Sequence, residues 1–137
     1  MNTSSSDNSN KWYLRVAALS LLLLFFTIPH TLEDFAFGEP AKAGIPAPVL
    51  SLVVSVVFFV QAVGLYWMGQ KRTRGLISQL AIGLFWPLAS GFAQLPAILS
   101  GTPYRQGAIS ILYVAGMIFI GILLVGSAVI GLIQGRE

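Results

Sequence analysis

The sequence contains no cysteine, which excludes disulfides, thiolate metal sites and cysteine-based redox chemistry. It has a single histidine, His30, so it offers no histidine pair for a metal and no Ser/His/Asp set away from that position. Charge is scarce too: 9% of the residues are Asp, Glu, Lys or Arg, where a soluble domain carries roughly a quarter. No glycine-rich phosphate loop follows a strand pattern, and no internal repeat relates one half of the chain to the other. These absences turn the reading away from an enzyme. The formal net charge of +3 does not restore a nucleic-acid partner, because most basic residues flank apolar runs and act there as topological anchors.

What remains is apolar. Hydrophobic residues make up 55% of the chain and the mean hydropathy is +0.79, which together with long apolar runs reads as an integral membrane protein. Four spans are expected, at 12–29, 48–69, 76–99 and 108–133. The first has a length of roughly 27 Å at about 1.5 Å per residue, just sufficient for the hydrocarbon core. The predicted fold is all-α: an up-and-down four-helix membrane bundle over residues 12–135, preceded by a disordered polar N-terminus at 1–11. A signal-peptide reading of the first span, with cleavage near Ala36-Phe37-Gly38, is disfavoured by the long charged stretch between its core and that site.

Basic residues set the expected orientation. Lys11, Arg15, Lys71, Arg72, Arg74 and Arg136 cluster at one end of the spans, whereas the other end holds only Lys42 and Arg105. The positive-inside rule then predicts both termini cytoplasmic and loop 30–47 outside a prokaryotic cytoplasmic membrane. Trp12, Tyr13, Tyr66 and Trp67 fall at one interface and Tyr104 at the other, as an aromatic belt requires.

Lipid offers no hydrophobic drive between helices, so small residues are expected on shared faces. Ala89, Ala93 and Ala97 recur at spacing four, as do Ser127, Gly131 and Gly135. Gly116, Gly121, Gly126 and Gly131 recur at spacing five and so wind around the helix, which predicts contact with more than one neighbour or with another protein. Pro87 should kink its span. The indole of Trp86, too deep for a belt, is expected to seek the carbonyl that Pro87 frees. Gln61, Gln79 and Gln94 are candidates for hydrogen bonds between helices, and Gln61, Trp86, Pro87 and Gln94 for the lining of a cavity or path. No Asp, Glu, Lys or His stands mid-span, which weighs against a proton-coupled transporter.

The stretch "PHTLEDFAFGEP" admits three readings: the cap of a short helix, a metal or cofactor site, and a surface on which a partner docks. Pro29 disfavours helix before it, so Thr31 can cap a short interfacial helix whose first turn carries Glu33 and Asp34. Alternatively the helix runs on, and His30, Glu33 and Asp34 share one face. With Glu39 folding back they form a candidate divalent-metal site, and His30 alone is a candidate haem or pigment ligand. The run His30-Thr31-Leu32-Glu33-Asp34 resembles the His-x-x-Glu-Glu signature after which a group of small bacterial membrane proteins is named. It departs at its last residue, and no function is carried across.

The leading functional expectation is a non-catalytic accessory subunit of a larger membrane complex (respiratory, photosynthetic or membrane-oxidase), enclosing lipid or a cofactor. Its partners would be membrane lipids and other membrane subunits. The alternatives are a homo-oligomeric small-solute transporter or channel and a metal- or haem-binding protein using His30.

Overall fold

The computed structural model describes residues 3–134. The order is α1 (Thr3–Ala36), α2 (Glu39–Lys42), α3 (Ala47–Gly69), α4 (Thr73–Leu99) and α5 (Ala108–Gln134). Four of these helices are long and apolar enough to cross a membrane, over Asn10–Ala36, Ala47–Gly69, Thr73–Leu99 and Ala108–Gln134. Their outward side chains are hydrocarbon, with Phe92, Leu14, Phe59 and Phe25 among the most exposed. A surface of that kind suits lipid rather than water.

The first span departs from expectation at its end. α1 continues through Pro29 to Ala36, so Thr31 is not a cap and no helix starts there. Instead the Thr31 hydroxyl donates back to the Thr27 carbonyl at 2.8 Å. Glu33 and Asp34 therefore sit in the last turns of α1, where the helix dipole opposes negative charge. Contacts from Arg105, Ser110 and Gln94 hold them there, and tertiary contact outweighs the local disfavour of proline. α1 ends as Gly38 takes φ +70, and the short helix of this loop is α2, not a helix over 31–37. Residues 3–11, expected to be disordered, are the opening turns of α1. Gly135 and Arg136 lie outside the described residues, so neither the last member of the Ser127 stripe nor the final basic anchor is placed.

Packing centres on α5, which lies against both α1 and α4, while α4 also packs on α3; α1 and α3 meet sparsely. The glycines of α5 explain its position. A Cβ at Gly116 would strike the Phe26 ring of α1, and one at Gly121 would strike the Pro87 ring of α4. Gly131 faces both Leu76 and Trp12 at 3.4 Å, whereas Gly126 meets nothing within 4 Å. Three of the four thus serve two neighbours inside the chain, as the winding spacing predicted. The alanine stripe does not: Ala89, Ala93 and Ala97 are exposed. The close seam of α4 runs instead through Gly75, Gln79 and Gly83, which are buried.

Pro87 stays within α4, and the carbonyl that it deprives of a donor, that of Gly83, lies against α5. A Cβ on Gly121 would come within 3.1 Å of that oxygen, a proximity suited to a Cα–H···O contact. The indole of Trp86 is not its partner, contrary to expectation: Trp86 Nε1 is buried with no hydrogen-bond partner among the described residues.

One polar knot ties three helices together. Ser20 Oγ (α1) donates to Gln79 Oε1 (α4) at 2.6 Å. Gln79 Nε2 donates to the Gln61 carbonyl (α3) at 3.0 Å, and Gln61 Nε2 donates to Ser20 Oγ at 3.0 Å. All three side chains are fully buried. Beside the knot, Gly64 and Gly75 bring α3 and α4 together: a Cβ on Gly75 would lie 2.9 Å from the Gly64 carbonyl oxygen. The hairpin is tight at this end. It is not tight at the other.

Candidate functional site

At the Arg105 end of the bundle, charged groups from three regions converge. α1 supplies His30, Glu33 and Asp34, α2 supplies Glu39, and the α4–α5 loop supplies Arg105. Arg105 adopts φ +40, the left-handed region that a non-glycine residue enters at a cost. Its guanidinium accounts for that backbone. Nη2 lies 2.6 Å from Asp34 Oδ1 and 3.7 Å from Glu39 Oε1, and Nη1 lies 3.8 Å from Glu33 Oε2. The side chain is only 4% exposed.

The cluster is braced from α4 and α5. Ser110 Oγ donates to Glu33 Oε1 at 3.0 Å and accepts from the Gln106 N–H at 3.1 Å. Gln94 Oε1 accepts from Tyr104 Oη at 2.7 Å and from Arg105 Nη2 at 3.1 Å. Burial pushes the Tyr104 phenol up to about 12, with nearby Arg105 pulling the other way. The Arg105 guanidinium also lies 5.1 Å from the Tyr104 ring centroid.

His30, Glu33, Asp34 and Glu39 do come together, as the sequence suggested, but around a cation that the chain itself provides. Among the described residues no group of three His, Asp or Glu side chains is arranged to hold a metal ion. The guanidinium stands between the carboxylates, at the place where the metal reading put a divalent ion. Arg105 was missed as a site residue. Its signal was present: three acids and a histidine face only Lys42 and Arg105 on that side of the spans.

Beside this cluster lies a cavity of about 430 Å³, within the roughly 300–1,000 Å³ typical of small-molecule sites. It occupies the end of the α3–α4 hairpin away from the Gly64–Gly75 contact. Leu50, Val53 and Val54 of α3 form one wall and Phe85, Ala89 and Ala93 of α4 another, with Met117 of α5 behind. His30, Asp34, Glu39, Lys42, Ser90 and Gln94 make its polar part. The exposed Val53, Ala89 and Ala93 place its mouth on the apolar side of the bundle.

Two wall residues are buried yet incomplete. His30 is 3% exposed and Trp86 4%, and neither His30 Nδ1 nor Trp86 Nε1 has a hydrogen-bond partner among the described residues. Buried polar groups are paired in the great majority of cases, and one left alone costs about 1–3 kcal/mol. The expected cavity residues thus divide. Trp86 and Gln94 line the cavity; Gln61 belongs to the knot, and Pro87 packs on Gly121. Comparison with protein-family models, curated proteins and solved structures returned no match.

Proposed function

We propose that the chain is a multi-pass protein of a prokaryotic cytoplasmic membrane that holds an amphipathic, lipid-like molecule in the cavity between α3 and α4. The observation that carries this reading is an apolar cavity, open at the side, whose one end is polar, lined by His30, Asp34, Glu39, Lys42 and Gln94. Hydrocarbon would lie against Val53, Val54, Phe85, Ala89, Ala93 and Met117, with the polar end toward His30 and Asp34. Exposed Lys71, Arg72 and Arg74 at the far end favour a cytoplasmic location for that turn, which puts the cavity in the outer leaflet.

Enclosing such a molecule is the role expected of an accessory subunit, and open small-residue surface at Ala97 and Gly126 offers room for a neighbouring subunit. The knot of Ser20, Gln61 and Gln79 is closed on itself, which favours enclosure over a continuous path for a solute.

Native mass spectrometry of the protein, extracted gently from its own membrane, tests the proposal. An added mass of an amphiphile is expected on the wild type and lost on Ala93→Trp, which fills the mouth. A heteromeric assembly would supply the host complex. Identical bare masses for both proteins, with no uptake of an added fluorescent amphiphile, would overturn the reading.

A further inference from the structure

Charge is used in opposite ways at the two ends of the bundle. At the Arg105 end both cations, Arg105 and Lys42, are paired with acids of the chain. At the other end Lys71, Arg72 and Arg74 are all exposed. None of the three makes an ion pair, a side-chain hydrogen bond or a ring contact among the described residues. Glu33, Asp34 and Glu39 lie a whole span away.

The turn does not need these cations for its own fold. It is the stretch Gln70–Arg72 between α3 and α4, and its backbone closes it. The N–H groups of Gln70 and Arg72 donate to the Trp67 carbonyl at 3.1 and 2.9 Å, and that of Lys71 to the Met68 carbonyl at 2.9 Å. These are terminal carbonyls of α3, groups that lysine or arginine side chains can satisfy at a helix end. Here the main chain has already done so. Lys71 also sits at φ +55, a conformation that glycine takes at helix ends and that costs a residue bearing a Cβ. Positive-inside anchoring asks for charge near the span, which Arg72 and Arg74 supply without Lys71. A cation held where glycine would fold more easily, with no partner inside the chain, points to a partner outside it.

Position names that partner. The Gly64–Gly75 approach keeps the hairpin tight and the turn close to the helix ends. Tyr66, 65% exposed, and Trp67 lie on the adjoining turn of α3, and rings of this kind sit at the head-group level of a bilayer. So short a turn stays within that layer, where the anion at hand is a lipid phosphate. In phosphatidylcholine the phosphate is offset by its own choline; in an anionic phospholipid it is not.

We propose that Lys71, Arg72 and Arg74 bind the head groups of anionic phospholipids and gather such lipids around this end of the bundle. The inference is independent of the cavity.

The test is tryptophan quenching of the purified full chain in phosphatidylcholine nanodiscs. A minor share of the lipid is replaced by phosphatidylglycerol or by phosphatidylcholine, each brominated on its acyl chains near the head group. Trp12 and Trp67 report from this end, and identical leaflets make the reading independent of orientation. Quenching by the phosphatidylglycerol should correspond to about fivefold enrichment or more, the effect of one basic residue at an anionic surface. Raising the salt should reduce it. The triple variant Lys71→Gln, Arg72→Gln, Arg74→Gln should bring the two lipids to parity, whereas Lys42→Gln, at the far end, should not. Lys71→Gly separates lipid binding from folding: the unfolding midpoint in detergent should rise while the preference falls. Equal quenching of the wild type by both lipids, as expected of a mere topological anchor or of a docking surface for an acidic protein, would overturn the proposal. A preference that survives the triple variant would overturn it as well.

Discussion

Two polar regions are buried in this bundle and they are built differently. The knot of Ser20, Gln61 and Gln79 is neutral, ties three helices, and leaves one acceptor, Gln61 Oε1, over. The Arg105 cluster is charged and draws on two loops. Among the described residues it leaves His30 Nδ1, Glu33 Oε2, Arg105 Nε and Arg105 Nη1 without hydrogen bonds, the Glu33 Oε2 and Arg105 Nη1 pair meeting only as an ion pair at 3.8 Å. Helix association in lipid needs interhelical hydrogen bonds, and neutral amides supply them without burying charge. Nothing about holding four helices together requires a histidine, three acids and an arginine at one end. The knot is what packing alone demands. The cluster exceeds that demand, and the excess borders a cavity.

The difference should be largest in stability. Replacing Arg105 with Met strips the counter-ion from buried Glu33 and half-buried Asp34, and removal of one partner from a buried pair costs about 3–5 kcal/mol. The expected outcome is a large drop in unfolding midpoint in detergent, only partly recovered by Arg105→Lys. A lysine ammonium is a single point charge and cannot reach both Asp34 and Glu33 as the guanidinium fork does. A midpoint within error of the wild type would mean that the cluster is solvated and not a built site.

Between the two regions, α4 and α5 touch at Gly121. Gly121→Val would force a side chain into the Pro87 ring, and overpacking of this kind costs about 1–3 kcal/mol. Gly126→Val, which meets open space, serves as its control. Equal effects would show that glycine number, not close approach, governs the helix.

The knot should respond less. Gln79→Leu removes the acceptor of Ser20 and the donor to the Gln61 carbonyl, and such bonds in a bilayer average about 0.6 kcal/mol each. A loss of about 1 kcal/mol is expected, with probe binding at the cavity unchanged. If Gln79→Leu abolished binding while Arg105→Met did not, the roles assigned to the two regions would be reversed.

How much of this was legible differs between the regions for a physical reason. Spans, glycine winding and the glutamines follow from hydropathy and period, which are properties of one helix at a time. The bounds of 48–69 and 108–133 fall within a residue of α3 and α5, and Gln61 and Gln79 bond between helices as expected. The cluster depends on which loop folds over which helix end. Pro29 argued for a break after Ile28, yet contacts from Arg105, Ser110 and Gln94 carry α1 on to Ala36, and local preference cannot anticipate them. The alanine stripe failed in the opposite sense. Its spacing was right for packing, but α5 took the face of α4 bearing Gly83, Pro87 and Ser90 and left Ala89 and Ala93 to the cavity.

Tyr104 offers the finest discrimination, because it is the titrating group at the rim of the cluster. Its phenol donates to Gln94 Oε1 and its pKa is raised from the ordinary 10.0 to about 12 by burial. A raised pKa means that the fold favours the protonated form. That contribution is fully present below the unfolded value and is lost as pH rises through the folded one. Stability should therefore decline between about pH 10 and 12 more steeply in the wild type than in Tyr104→Phe, which cannot ionise. At neutral pH the same substitution should cost only about 0.5–1.5 kcal/mol, the worth of one hydrogen bond. The measurement is the unfolding midpoint of both proteins across that alkaline range. Parallel curves would mean that Tyr104 ionises as freely as in water, and that the Arg105 end is open where the fold shows it closed.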